Sequence, residues 1–158
     1  MSITVLHMTR QDELQHAASR NTPEGVVRDF VKSPSLLGTP EMPVEERFAL
    51  RDTRHKSAAA TLYASKVYVP VARIDSFDKN LAYRLTNNID TSWAGEPDAR
   101  VTVLGNNLIV RGSDIGCAST SIGDLMRNNE TGEYFLVASD GFLSLGLLDA
   151  EEMAKACA

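Results

Sequence analysis

The sequence has few cysteines, few aromatic residues and no long hydrophobic run. Its 158 residues include 2 Cys and 6% aromatic residues. Cys117 and Cys157 are far apart and neither belongs to a Cys-x-x-Cys pair, so neither a disulfide framework nor structural zinc is expected. No apolar run approaches the roughly 20 residues of a membrane helix, and no secretory signal opens the chain. These absences predict a cytoplasmic protein without membrane contact, folded as one globular domain.

Positive charge is also scarce in the second part of the chain. Residues 1–65 carry eight basic and eight acidic side chains, whereas residues 66–158 carry eight basic and thirteen acidic ones, so the whole net charge of -5 comes from there. An acidic surface repels phosphate backbones, which disfavours nucleic-acid binding. It also attracts proteins with a basic surface.

Two catalytic motifs are absent, namely the Gly-x-x-x-x-Gly-Lys-Ser/Thr phosphate loop and the Gly-x-Ser-x-Gly serine elbow. One catalytic pattern remains. His7 with Thr9, and His55 with Ser57, form two His-x-Thr/Ser tripeptides similar to those of two-histidine phosphoesterases that act on nucleotides. That activity needs the two imidazoles within about 8 Å of each other, one as base and one as acid. Otherwise we predict no catalytic residue, no cofactor and no metal.

The first part of the sequence predicts a short strand followed by helices. Residues 3–6 are β-rich, and a variant capping box at the start of residues 9–18 predicts a helix. Pro23, at a first helical position, predicts a helix over 23–32. Three prolines and a glycine predict a loop over 33–43, and residues 44–64, rich in Ala, Arg and Glu, predict one or two more helices.

The second part predicts an antiparallel sheet with a short helix over 79–86 and a closing helix from Ala150 to about Cys157. The strand over 67–74 contains Pro70, which cannot donate to a ladder, so this strand is expected at a sheet edge or bulged there. Two hairpins are predicted from alternating runs around turn residues. They join 100–104 to 108–111 across Gly105-Asn106-Asn107, and 133–138 to 142–145 across Asp140-Gly141.

The predicted fold class is therefore α+β, with N-terminal helices packed on a small antiparallel sheet that has two hairpins and a short C-terminal helix. Residues 1–158 form one compact unit, with a mainly helical part over 1–65. The sheet is expected to be built from about 66–147, within a second part over 66–158.

Four motifs follow one another in that second part. They are Val71-Ala72-Arg73-Ile74, the Thr-Asn-x-Ile-x-x-x-Trp element of residues 86–93, Ser119-Thr120-Ser121-Ile122-Gly123-Asp124, and a hairpin with Gly141-Phe142. Over about residues 66–146 they resemble a set of small proteins of bacterial phages and plasmids to which no activity is firmly attached. The resemblance implies a mobile-element origin and a compact α+β module.

The polar residues of these motifs have two interpretations. In one, Asn87 takes a left-handed conformation at a helix end, Trp93 folds over the sheet, and Ser, Gly and Asp form a turn that opens the next strand. In the other, hydroxyl and N–H groups form a pocket for an anion or a peptide. The candidate binding residues are Asn87, Asn88, Asp90, Trp93, Ser119, Ser121 and Asp124.

These observations predict a binding protein rather than an enzyme. The expected partner is a host protein with a basic surface, and the expected role is that of a phage or mobile-element accessory protein that inhibits a defence or transcription component. Besides the phosphoesterase, two functions stay open. A nucleic-acid-binding module needs a basic stripe formed by Arg47, Arg51, Arg54 and Lys56. Self-association needs Trp93 or the strand over 67–74 at the surface.

Overall fold

The N-terminal residues form a central strand of the main sheet. In a computed structural model, which describes residues 1–9 and 23–157, six antiparallel strands lie in the order β3-β2-β1-β6-β7-β8, and two short strands pair separately as β4-β5. The strands are β1 (Ile3–Met8), β2 (Tyr68–Ile74), β3 (Val101–Val103), β4 (Ile109–Arg111), β5 (Asp114–Gly116), β6 (Leu125–Asn128), β7 (Glu133–Ala138) and β8 (Gly141–Leu147). The helices described are α1 (Pro23–Lys32), α2 (Val44–Ala64), α3 (Lys79–Leu85) and α4 (Ala150–Cys157).

This arrangement confirms the α+β class and changes how the sheet is built. We expected the sheet to come from about residues 66–147. Instead, β1 pairs with β2 on one side and with β6 on the other. The run Ile3 to Met8 is almost wholly buried, and a strand buried on both faces is stable only inside a sheet. A fragment that begins at residue 66 therefore lacks a central strand.

The two faces of the sheet carry separate cores. Successive residues of β1 point to opposite faces, so Val5 packs with Val71 and Trp93 on one side. Leu6 packs with Leu62 of α2 on the other. The long helix α2 thus covers one face, whereas α3 and the segment around Trp93 cover the opposite face.

Pro70 lies at a β-bulge, which is one of the two positions predicted for it. β1 pairs consecutive residues Val5 and Leu6 with Ala72 and Pro70, so Val71 is the extra residue. The other expectation, an edge position, is wrong because β2 lies between β1 and β3. The β3 ladder covers only Ala72 to Ile74, so no β3 residue requires an N–H group from Pro70.

The predicted hairpin between residues 100–104 and 108–111 is not formed. Its first half, β3, pairs with β2, while its second half, β4, pairs with β5. The turn between them is bound to the main sheet instead, since Asn106 Nδ2 donates to Pro70 O at 2.6 Å and Asn107 Nδ2 to Met8 O at 2.7 Å. The pairing with β2 places Val101 of β3 in the core on the Trp93 side of the sheet, where it is 8% exposed.

The remaining predicted elements match the structure closely. The helix over 23–32, the loop over 33–43 and the closing helix are confirmed, and residues 44–64 form one helix. The hairpin of β7 and β8 is confirmed, with Gly141 at a φ of +140°. The helix predicted over 9–18 lies outside the described residues. None of the helices in residues 23–157 is long and apolar enough to cross a membrane.

Candidate functional site

Two of the sequence motifs meet on the sheet face opposite α2. The backbone N–H of Asn88 donates to Ser119 Oγ at 2.9 Å, and Asn88 Nδ2 donates to Cys117 O at 2.8 Å. Trp93 Nε1 donates to Ala118 O at 3.0 Å. We call this contact between residues 86–93 and 117–124 the motif junction.

Local structure positions the residues on each side of the motif junction. Asp78 caps the N-terminus of α3 by accepting from the N–H groups of Asn80 and Leu81. Thr86, at the C-terminal end of this short helix, lies in the junction. On the other side, Gly123 has a φ of +97°, as its position in a tight turn predicted. Asp124 Oδ2 accepts from Ser121 N at 2.9 Å as β6 begins.

A buried hydrogen-bond chain runs through the junction. Thr86 Oγ1 donates to Ala82 O at 2.8 Å, so its only hydroxyl proton is used. Thr120 Oγ1, 2.7 Å from Thr86 Oγ1, must then donate to it. His7 Nε2, 2.8 Å from Thr120 Oγ1, must in turn donate to Thr120. His7 therefore carries its proton on Nε2, and its Nδ1 lone pair points at Cys117 Sγ, 3.8 Å away.

Burial determines the protonation of the ionisable side chains in and beside this hydrogen-bond chain. It lowers the pKa of His7 to about 4, with a further contribution from the positive charge of Lys32, so the imidazole is neutral at pH 7. It raises the pKa of Asp124 to about 7, although the Ser121 N–H opposes that change. The closest atoms of the two side chains, His7 Nε2 and Asp124 Oδ2, lie 3.7 Å apart. With Cys117 only 2% exposed, these groups tie segments together and do not face a substrate.

A surface cavity of about 440 Å³ lies next to the junction and is partly formed by the β4-β5 pair. Asn88, Ser92 and Ile115 line it. Ser92 Oγ donates to Ile115 O at 3.1 Å, which holds β5 against the segment that precedes Trp93.

Three branched apolar side chains are exposed around this cavity. Val110 and Ile115 are direct cross-strand partners and are 65% and 46% exposed, and Ile89, adjacent to Asn88, is 73% exposed. Asp90 is exposed next to Ile89, and Asp114 is exposed on the other face of the ribbon, where it is the cross-strand partner of Arg111. We call these five residues the ribbon surface.

Most of the candidate binding residues meet at the junction. Asn88, Trp93, Ser119, Ser121 and Asp124 belong to it, with Trp93 and Asp124 buried.

Asn87 and Asp90 lie outside the contact. Asn87 donates from Nδ2 to Tyr83 O at the end of α3, but it does not take the expected left-handed conformation. Thr86, with a φ of -111°, ends the helix instead, since its side chain bonds back to the last turn. Asp90 is exposed on the ribbon surface.

The two candidate catalytic histidines are not brought together. His7 shares the sheet face of Trp93, with ring centroids 6.4 Å apart, whereas His55 packs against Phe30 of α1 on the opposite side of the sheet. Thr9 accepts from Arg28, and Ser57 lies exposed on α2. A sheet between the imidazoles leaves no common cleft for a phosphate, so this pair does not form a two-histidine site.

Within the described residues, the surfaces expected for nucleic-acid binding and for self-association are not formed either. In the expected basic stripe, Arg51 is buried and donates to Pro34 O, while Arg47 donates to Leu37 O. For self-association, Trp93 is buried and β2 is an internal strand. In residues 1–9 and 23–157, no group of three or more His, Cys, Asp or Glu side chains is placed to hold a metal ion.

The sequence analysis missed the contacts that complete these sites. His7, Thr86 and Thr120 share a hydrogen-bond chain because a strand, a helix end and a turn that are distant in sequence become neighbours, and no local pattern signals that contact. The ribbon surface had a weak signal, because Gly112-Ser113 between two short alternating runs is also typical of a hairpin turn.

Comparison with known proteins identifies no relative. No family model matches the chain. No curated protein and no solved structure is significantly similar to it.

Proposed function

We propose that this protein is an accessory protein of a phage or another mobile element that acts in the host cytoplasm by binding a host protein. In this proposal, binding inhibits a defence or transcription component, and the ribbon surface is the contact. The motif resemblance and the acidic second part of the chain support the mobile-element origin and the basic character of the partner.

The observation that carries the proposal is the exposure of Ile89, Val110 and Ile115 together. Single exposed apolar side chains are ordinary, but a cross-strand pair with a third residue nearby forms a patch typical of protein contacts. An isolated two-stranded ribbon is weakly stable by itself, so a partner that covers it also stabilises it.

Charge indicates the kind of partner. Asp90 is exposed next to Ile89, whereas Asp114 is the direct cross-strand partner of Arg111, so the charges of those two side chains offset each other. An apolar centre with the Asp90 carboxylate at its rim fits a protein segment that presents an apolar side chain next to Lys or Arg. Such a contact weakens as salt rises, because rim charges are screened.

Capture from a lysate of the bacterium that carries the element tests the proposal. The full chain is the bait, since β1 is a central strand. We expect a protein retained by the wild type to be lost with Val110→Lys, which removes an apolar contact and repels a basic partner. Val26→Lys is the matched control, because Val26 on α1 is 57% exposed and lies away from the ribbon.

Each outcome of the capture experiment supports or contradicts the proposal. A partner retained by the wild type and by Val26→Lys, and lost with Val110→Lys, supports the proposal. Equal capture by both variants would exclude the ribbon surface as the contact, and no capture by the wild type would exclude the binding function itself.

A further inference from the structure

A second and larger cavity, of about 780 Å³, lies on the sheet face that carries α2. Its floor includes Thr4, Leu6 and Pro70 from the sheet, and its walls include Tyr63 at the end of α2 and Tyr134 of β7. We call it the tyrosine cleft. Its volume is within the range of pockets that hold small organic ligands.

The hydroxyl groups of the tyrosines are already paired, and only the Tyr63 ring is partly exposed, since Tyr68 and Tyr134 are 7% and 3% exposed. Tyr68 OH donates to Gly123 O at 2.7 Å. The hydroxyls of Tyr63 and Tyr134 both donate to Asp149, and the two rings lie 4.9 Å apart. The cleft therefore offers a ligand the Tyr63 ring and the aliphatic side chains of Pro70 and Leu104.

The charged side chains that line the cleft are both basic, in a chain with a net charge of -5. Arg127 is compensated from behind, since its Nε lies 3.1 Å from Asp149 Oδ2 and one of its terminal nitrogens lies 3.6 Å from Glu152. Lys66 is exposed and has no ion-pair partner within residues 1–9 and 23–157. It is thus the uncompensated cation of the cleft.

Lys66 has a backbone conformation that is unusual for a residue other than glycine. Val67 N donates to Leu62 O and Lys66 N to Tyr63 O, which is the hydrogen-bond pattern of a Schellman motif closing α2. Lys66 occupies the left-handed position of that motif, with a φ of 61°. Glycine is the ordinary residue there, and a residue with a Cβ is strained. Strain of this kind is concentrated at functional positions.

We propose that the tyrosine cleft binds a small organic anion, with its planar apolar body against the Tyr63 ring and the aliphatic side chains beside it, and its anionic group on the Lys66 ammonium. This site is separate from the ribbon surface and does not depend on the proposed function.

Two naphthalene probes of similar shape test it by fluorescence titration. Anilinonaphthalene sulfonate is an anion, and N-phenylnaphthylamine is neutral. We expect Lys66→Gln to weaken binding of the sulfonate by about fivefold or more, as loss of one charge contact implies, and to leave binding of the neutral probe within about twofold. Lys56→Gln, which removes an exposed lysine from α2, is the matched control and should change neither.

A second variant separates binding from folding. Lys66→Gly should weaken sulfonate binding as Lys66→Gln does, yet raise the urea midpoint, because glycine relieves the left-handed strain. The proposal is overturned if the wild type does not bind the sulfonate, if both Lys66 variants bind it as tightly as the wild type, or if Lys56→Gln weakens it equally.

Discussion

His7 Nε2 donates to Thr120 Oγ1 across 2.8 Å, and this bond joins the central strand to a turn 113 residues away in sequence. The bond exists only in one tautomer of His7, which the hydroxyl of Thr86 sets through Thr120. The bond therefore connects three segments of the chain through side chains that are all buried.

The first prediction concerns the buried hydrogen-bond chain of His7, Thr120 and Thr86. Thr120→Val keeps the shape of the side chain but leaves His7 Nε2 and Thr86 Oγ1 with one partner fewer in a buried place. We expect a loss of about 1–3 kcal/mol in the free energy of unfolding, measured by urea denaturation. Thr102→Val, at an exposed position of β3, is the control and should change stability little. Equal stability of both variants would contradict a structural role for the hydrogen-bond chain.

The second prediction concerns pH. The pKa of His7 is about 4 in the folded state, below its ordinary value of 6.5, so its stabilising contribution is complete above pH 6.5 and is lost as pH falls towards 4. Burial also lowers the pKa of His55, which acts in the same direction. Asp124 acts in the opposite direction, since its raised pKa of about 7 favours folding most below pH 3.8.

Asp124→Asn removes the opposing contribution and keeps an oxygen that can accept from Ser121 N. We expect this variant to lose stability more steeply than the wild type between pH 6.5 and 4, with up to about 3 kcal/mol from His7. Urea denaturation at half-unit steps of pH measures it. Adding His7→Gln to Asp124→Asn should flatten the curve, and a curve unchanged by that addition would exclude His7 as its source.

The third prediction concerns the two thiols. Cys117 is buried and Cys157 is exposed. In the native protein, a chromogenic aryl disulfide should titrate one thiol rapidly, and the second should react only after denaturation. Cys157→Ser should abolish the rapid phase. A rapid phase that survives in this variant would show that Cys117 is accessible.

The fourth prediction concerns Arg51. Its guanidinium donates to Pro34 O at 3.0 Å and contacts Asp140 Oδ1 at 3.3 Å, so it links α2 to the preceding loop and to the β7-β8 turn. A lysine cannot span both acceptors, because it lacks the planar fork. Arg51→Lys should therefore cost about 1 kcal/mol or more in urea denaturation. Arg54→Lys, exposed on the same helix, should cost little, and similar losses in both would contradict this role.

Elements with a strong local signal were predicted from the sequence. The helix that begins at Pro23 has a proline at its first turn and an apolar stripe, and the β7-β8 hairpin has Gly141 beside its turn. Both depend on backbone preferences of neighbouring residues, which any chain segment carries with it. For the same reason Gly123 was placed in a turn correctly.

The sites depended on contacts that no local pattern contains. β3 pairs with β2 through a three-residue ladder that brings Val101 into the core. β1 is central because both its faces are buried. The separation of His7 from His55 followed from that position, since successive residues of a strand point to opposite faces.

The residues alone determined the α+β class, most of the helices and the turn chemistry of the motifs, because these follow from short-range sterics and hydrogen bonding. Only the tertiary structure decided which strands are neighbours, which polar side chains are buried together at the motif junction, and which apolar ones stay exposed on the ribbon surface. Those outcomes depend on contacts between segments that are distant in sequence, which no local pattern contains.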